Sequence, residues 1–248
     1  MTDVPPPAHP GLAGGPVYLD YNATTPVDPR VTEAMLPYLT SLFGNPSSDH
    51  PYAGRPRAAL ADARAHVAAL LGARPVEVVF TSSGSEANLL ALRGAVLAAD
   101  VPRPHVITQA TEHPAVLQTC RALERLHGTR VTVLPVDGEG LVDPAALEDA
   151  LTQETVLVSV MAANNETGAL QPITELAALA REHGALFHCD AAQAAGKIPL
   201  DVHELGVDLL TVVGHKMYAP KATAALYVRD GVRLEPVVYG GGQERGLR

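Results

Sequence analysis

Along the chain, short apolar, β-branched runs alternate with longer Ala/Leu-rich stretches. The short runs are EVVF (77–80), HVITQ (105–109), RVTVLPV (130–136), TVLVSVM (155–161), ALFHCD (185–190), DLLTVV (208–213) and AALYVR (224–229). Residues 56–71, 86–99, 114–127, 144–151 and 173–183 carry helical spacing between most of them. Continuous apolar runs of strand length separated by helices predict βαβ units and a mainly parallel sheet covered on both faces, an α/β fold. Helix starts are marked by Ser85 before EANLLALRGAVLAA, by Asp143-Pro144 and by Pro172, and the helix after Pro172 stops at Gly184. Residues 1–16 are rich in Pro and Gly and read as a mobile arm, leaving 17–248 as one folded unit. In an open α/β sheet, ligands bind at the carboxyl ends of the strands, so the polar residues just after the apolar runs are the candidates for chemistry.

Composition narrows the classes. A chain of 248 residues with 47% hydrophobic positions can bury one substantial core. A formal charge of −9 argues against a general nucleic-acid binder, which needs a basic face for phosphates. The two cysteines, Cys120 and Cys189, form no CxxC pair, which disfavours a disulfide scaffold or a thiolate zinc site. No stretch approaches the roughly 20 apolar residues of a membrane span, and the first residues do not read as a signal peptide, so a cytoplasmic protein is expected.

Four polar clusters follow apolar runs. In TSSGSEAN (81–88), backbone N–H groups at Gly84, Ser85 and Glu86 and the Ser85 hydroxyl suit a phosphate at a helix N-terminus, although Ser/Gly turns cap many ordinary helices. In HCDAAQAAGK (188–197), Asp190 emerges from a strand where a carboxylate needs a cationic or strongly donating partner. A protonated pyridine nitrogen is one such partner and a helix N-terminus another, while His188 fits a satisfied core histidine. In GHKMYAPK (214–221), Lys216 directly follows a strand, where a depressed pKa would let its amine form a Schiff base. His215 beside it can donate to an anion, and Lys221 fits an exposed loop lysine better. In TEHPAVLQT (111–119), His113 precedes a Pro-started helix, placed either to stack on a ring and handle protons or simply to cap.

The order and spacing of these clusters carry more than any one of them. DYNATTPVDPRV (20–31), FGNPSS (43–48), GRPR (54–57), FTSSGSEAN (80–88), EHPAVLQT (112–119), NNETGALQPI (164–173), HCDAAQAAGKIPLDV (188–202), GHKMYAPK (214–221), AALYVR (224–229) and GGGQERGLR (240–248) together resemble the cysteine desulfurase/selenocysteine lyase family. That family lies in the class V aminotransferase group, with the fold type I architecture of pyridoxal 5'-phosphate enzymes. The resemblance implies that Lys216 carries the cofactor, Asp190 meets its ring nitrogen, and Gln193 bonds its phenolic oxygen. It implies that His113 stacks on the ring and handles protons, that Asn165 lies near the substrate carboxylate, and that Gly84, Ser85 and His215 cradle the phosphate. It further implies a homodimer acting on L-cysteine or L-selenocysteine, with a sulfur acceptor or iron–sulfur scaffold protein as partner, and no metal, nucleic acid or membrane.

The chain departs from the pattern at several points. Val213 stands where many desulfurases have a serine, as it can in selenocysteine lyases, Ser83 replaces a frequent glycine, and Ala222 stands at another usual glycine. If position 222 needs a positive φ, Ala222 costs stability. The resemblance places a nucleophilic cysteine and a carboxylate-clamping arginine in a C-terminal domain beyond GGGQERGLR, and neither Cys120 nor Cys189 matches that cysteine. Three expectations follow: a desulfurase or selenocysteine lyase impaired on its own, a cofactor-binding partner protein without turnover, or a zinc site of His188, Asp190 and His215.

Overall fold

A computed structural model describes residues 9–248. Of the arm expected over 1–16, residues 1–8 lie outside the described residues; Pro10–Leu12 form an exposed 3-10 turn capped by the His9 side chain. Seven strands form one sheet: β1 (Val78–Thr81), β2 (His105–Gln109), β3 (Arg130–Leu134), β4 (Thr155–Ser159), β5 (Leu186–Asp190), β6 (Leu209–Val213) and β7 (Ala224–Val228), in the order β1-β7-β6-β5-β4-β2-β3. The pairs from β6 through β3 are parallel, and β7 runs antiparallel to both β6 and β1. The mainly parallel sheet is therefore borne out, with one reversed strand that the alternation did not indicate.

The helices are α1 (Pro29–Thr40), α2 (Gly54–Leu71), α3 (Gly84–Ala98), α4 (Pro114–His127), α5 (Pro144–Ala150), α6 (Ile173–Glu182) and the short α7 (Val202–Leu205). Neighbouring strand residues face opposite ways, and both faces are buried. Val106, Leu157, Leu209 and Leu226 join Leu90, Val116 and Leu123 of α3 and α4 on one side. Ile107, Val158, Leu210 and Tyr227 join Leu71, Leu147 and Leu176 of α2, α5 and α6 on the other. Each such side chain withdrawn from water contributes about 1.5–3 kcal/mol, which fixes the register of the strands.

The caps explain the helix starts. Asp143 accepts from the Ala145 N–H at 2.9 Å, as expected. The start of α3 is a correction, because the cap is Ser83 rather than Ser85. The Ser83 hydroxyl accepts from the Glu86 N–H at 3.1 Å, so Gly84 and Ser85 occupy the first helical turn. Helix α6 ends as expected before Gly184, which takes φ +77°.

Helix α1 buries no residue, and Leu36, Leu39 and the nearby Phe43 are exposed. Among the described residues no helix is long and apolar enough to cross a membrane.

Candidate active site

The carboxyl ends of β1, β5 and β6 open on a cavity of about 880 Å³. All eight residues singled out in the sequence line it: Gly84, Ser85, His113, Asn165, Asp190, Gln193, His215 and Lys216. They arrive on five stretches of chain, 84–85, 113, 165, 190–193 and 215–216, because the parallel strands deliver their carboxyl ends to one edge of the sheet.

Asp190 is the last residue of β5 and only 5% exposed. One carboxylate oxygen accepts from Asn88 Nδ2 at 2.7 Å, and the other from the Ala192 N–H at 3.0 Å. No basic side chain pairs with it among the described residues, although burial makes an unpaired carboxylate costly. Asn88 Oδ1, beside it, is buried without any hydrogen-bond partner. A deep carboxylate facing an open cavity fits a cationic ligand group.

Lys216 follows β6 on a 3-10 turn, Gly214–Lys216. Its Nζ donates to the main-chain oxygen of Asn22, which also accepts from Gln193 Nε2 at 2.8 Å. Burial, and then the charge of Lys197, hold the Lys216 amine below the ordinary lysine range, while Asp190 and Asp20 oppose them. Burial, then Lys216 and Lys221, likewise hold His215 below the usual imidazole range. Its Nδ1 stands 3.1 Å from Thr24 Oγ1. Lys221, expected as an exposed loop lysine, is exposed and also lines the cavity rim.

The segment holding these groups is a strap the sequence reading gave no role. The Thr25 N–H and hydroxyl both donate to the His215 carbonyl, at 2.8 and 3.0 Å, and Thr25 Oγ1 accepts from the Tyr218 N–H at 2.9 Å. Residues 22–25 thus brace the turn that presents Lys216.

His113 caps α4, its Nδ1 accepting from the Ala115 N–H at 3.0 Å, so capping and cavity lining coexist in one residue. Glu112 beside it is buried; its Oε1 accepts from the Met161 N–H at 2.5 Å and from Gln109 Nε2 at 3.1 Å, while Oε2 has no partner. Burial, with Asp190 adding to it, pushes the Glu112 carboxyl up to about 8. Asn164 Oδ1 accepts from the Glu166 and Thr167 N–H groups and shapes the turn that carries Asn165.

At the helix N-terminus, a Cβ on Gly84 would sit 2.6 Å from Val213 Cγ2, so with a valine at 213 only glycine fits there without displacement. Ala222 adopts φ +65°, the left-handed region that its missing glycine would tolerate. The zinc set is not assembled. His188 is fully buried between Ser159 Oγ (2.8 Å) and Thr211 Oγ1 (3.1 Å), and burial pushes it down to about 3. Among the described residues no three metal-binding side chains cluster. Cys120 and Cys189 are both buried; burial raises both thiols, that of Cys120 to about 12.

Residues 17–246 match the class-V aminotransferase family. The chain is 52% identical over 238 residues to the mitochondrial cysteine desulfurase of Drosophila melanogaster, covering 95% of this chain and 51% of the relative. It is 48% identical to the cysteine desulfurase IscS of Rickettsia bellii, over 94% of this chain and 57% of that one. The solved structure of SspA in complex with cysteine superposes with a TM-score of 0.90 at 42% identity, covering 93% of this chain and 67% of the other. A NifS-like protein superposes with a TM-score of 0.90 at 39% identity, covering 94% and 64%. The chain spans just over half the length of the curated relatives it matches.

Proposed function

This chain belongs to the class-V aminotransferase family, and we propose that residues 17–248 are the cofactor-binding part of a cysteine desulfurase using pyridoxal 5'-phosphate. The observation that carries this is the convergence of a buried, unpaired Asp190 carboxylate and a lysine of lowered basicity on one cavity. Both are what that cofactor demands: an anion for its ring nitrogen and a free amine for its aldehyde. When bound, the cofactor supplies an electron sink for the charge left when a bond at an amino acid's Cα breaks.

Asp190, held in orientation by Asn88 and the Ala192 N–H, would keep the ring nitrogen protonated. Gly84 and Ser85, in the first turn of α3, would offer N–H groups to the phosphate, with His215 as a further donor. His113 would lie on the ring, Gln193 would donate to its phenolic oxygen, and Asn165 would meet the substrate carboxylate. Lys216 Nζ, as the free amine, would accept the α-proton of the substrate. Its lowered basicity leaves a larger free-amine fraction near neutral pH than an ordinary lysine has.

L-cysteine is the proposed substrate, with selenocysteine as the alternative that Val213 leaves open. Sulfur passes in this reading to an acceptor or iron–sulfur scaffold protein, in a cytoplasmic homodimer for which exposed Leu36, Leu39 and Phe43 offer an apolar face. A second reading, cofactor binding without turnover by these residues alone, is favoured by the two thiols, since buried cysteines of raised pKa make poor sulfur acceptors.

The test is to add pyridoxal 5'-phosphate and record the visible absorbance of the lysine-bound cofactor. The band is expected in the unaltered chain and absent in Lys216→Ala; a band that survives the substitution refutes the assignment. Alanine release from cysteine, with the sulfur read as sulfide after a dithiol reductant is added, then separates the two readings, with little expected from the 248 residues alone.

A further inference from the structure

The chain contains only three lysines against fifteen arginines, and all three stand at one place. Lys216 and Lys221 line the cavity. Lys197 reaches it from behind, its Nζ donating to Gln193 Oε1 at 2.5 Å and to Asn22 Oδ1 at 3.5 Å.

An ammonium group has donors and no acceptor, so the atom it meets on Gln193 must be the amide oxygen. That leaves Gln193 Nε2 turned the other way, where it donates to the same Asn22 carbonyl that accepts from Lys216. The turned amide and the shared carbonyl link Lys197 to Lys216 through two residues. None of the arginines lines this cavity, and burial holds the Lys197 amine below its ordinary range.

We propose that Lys197 is a positioning residue of the site, fixing which end of the Gln193 amide faces the cavity and setting a second cation beside the Lys216 amine. The role assigned to Gln193 rests on the cofactor reading above; the effect on Lys216 does not. A neighbouring cation favours the neutral form of an amine, and here the pair of lysines holds it with a side-chain amide between them. Arginine at 197 would keep both the donors and the charge, whereas methionine would keep the stem and lose both.

The test uses the cofactor-free chain and trace labelling with acetic anhydride across a pH series, read peptide by peptide by mass spectrometry. Three lysines and one N-terminal amine make every site separately countable. In Lys197→Met, labelling of Lys216 near neutral pH is expected to fall about threefold relative to the N-terminal amine, its pH profile moving to higher pH. In Lys197→Arg the profile is expected to stay with that of the unaltered chain.

Lys197 is exposed, so both variants should fold, which circular dichroism checks. Should the methionine variant unfold, Lys197→Gln carries the same comparison. An unchanged Lys216 profile in a folded, uncharged variant overturns the proposal. Failure of the chain to take up cofactor would overturn the function proposed above and leave this comparison standing.

Discussion

Replacing Glu112 by glutamine should make the protein more sensitive to acid and less sensitive to base than the unaltered chain. Burial and Asp190 push the Glu112 carboxyl up to about 8, against an ordinary 4.5, so the folded state holds a proton there that the unfolded chain releases. For a raised carboxyl the sign is definite: stability from this group is full below 4.5 and falls as pH rises towards 8. Each pH step in that window costs about 1.4 kcal/mol, so roughly 3 kcal/mol is lost between pH 4.5 and 7. Of the other groups facing it, Asp190 is present in both proteins, and Cys120 and Cys189, whose thiols burial raises before any charge on Glu112 adds to it, stay protonated through this window. Glutamine keeps the acceptor for Met161 N–H and Gln109 but puts an amide where Oε2 already lacks a partner, a cost of about 1–3 kcal/mol at every pH. The variant should therefore be less stable at pH 5 and gain steadily on the parent as pH rises, with the order reversing near neutrality. Urea unfolding of both proteins at four or five pH values between 5 and 8 measures the difference. Two parallel stability curves would falsify the claim that Glu112 is held neutral.

Three further outcomes are expected. Ala222→Gly should raise stability by about 0.5 kcal/mol in urea unfolding, because relief of a left-handed alanine slightly exceeds glycine's extra unfolded-chain entropy; a loss would mean that φ +65° is not strained. His188→Gln should flatten the acid side of the stability profile. A histidine buried neutral, pushed down to about 3 from 6.5, contributes stability that is complete above 6.5 and shrinks by about 2 kcal/mol on going to pH 5; an equal slope in the variant refutes this. Asn88→Ala should weaken cofactor retention by about tenfold, measured by equilibrium dialysis, because it removes the 2.7 Å donor to Asp190; retention equal to the parent's would show that Asp190 needs no such support.

The inner parallel strands were legible because they are buried on both faces, so their apolar runs are almost unbroken; the edge strand β3 is largely exposed and carries Arg130 and Thr132 among its apolar residues. The direction of β7 was not read, since an apolar run carries no arrow. A signal was nonetheless present: only ten residues, 214–223, separate β6 from β7, too few for the usual crossover between parallel strands. Helix α1 was missed although Asp28-Pro29 repeats the cap of Asp143-Pro144, its pattern being interrupted by Pro37. Ser85 stands directly before Glu86 and the apolar run, so spacing points to it as the cap of α3, whereas in the fold it is Ser83 that reaches the Glu86 N–H. The eight chosen residues do line one cavity; seven stand in the polar clusters that follow apolar runs, and Asn165 was marked only by the resemblance that the order and spacing of the motifs carried. Asn22 escaped notice because it meets Lys216 and Gln193 through its main-chain oxygen, which any residue could supply, and its side chain reaches Lys197 and the Asn165 carbonyl only at 3.5 and 3.4 Å. Glu112 stood in a quoted motif, but its burial and its bond to the Met161 N–H, just beyond the end of β4, arise only in the folded chain.

The strap at residues 22–25 closes on partners about 190 positions later in the chain. A contact of that span carries nearly the largest loop-closure entropy this chain can offer, growing as the logarithm of its length. During synthesis, Asn22 and Thr25 leave the ribosome early and wait while the whole run from β1 to β6 is made. The sheet can thus form around its core while Lys216 still lacks its acceptor and its turn lacks its brace. Competence to hold a ligand is accordingly a late event in folding, lagging behind strand formation. A chain cut between residues 25 and 29 should keep its sheet and lose its site.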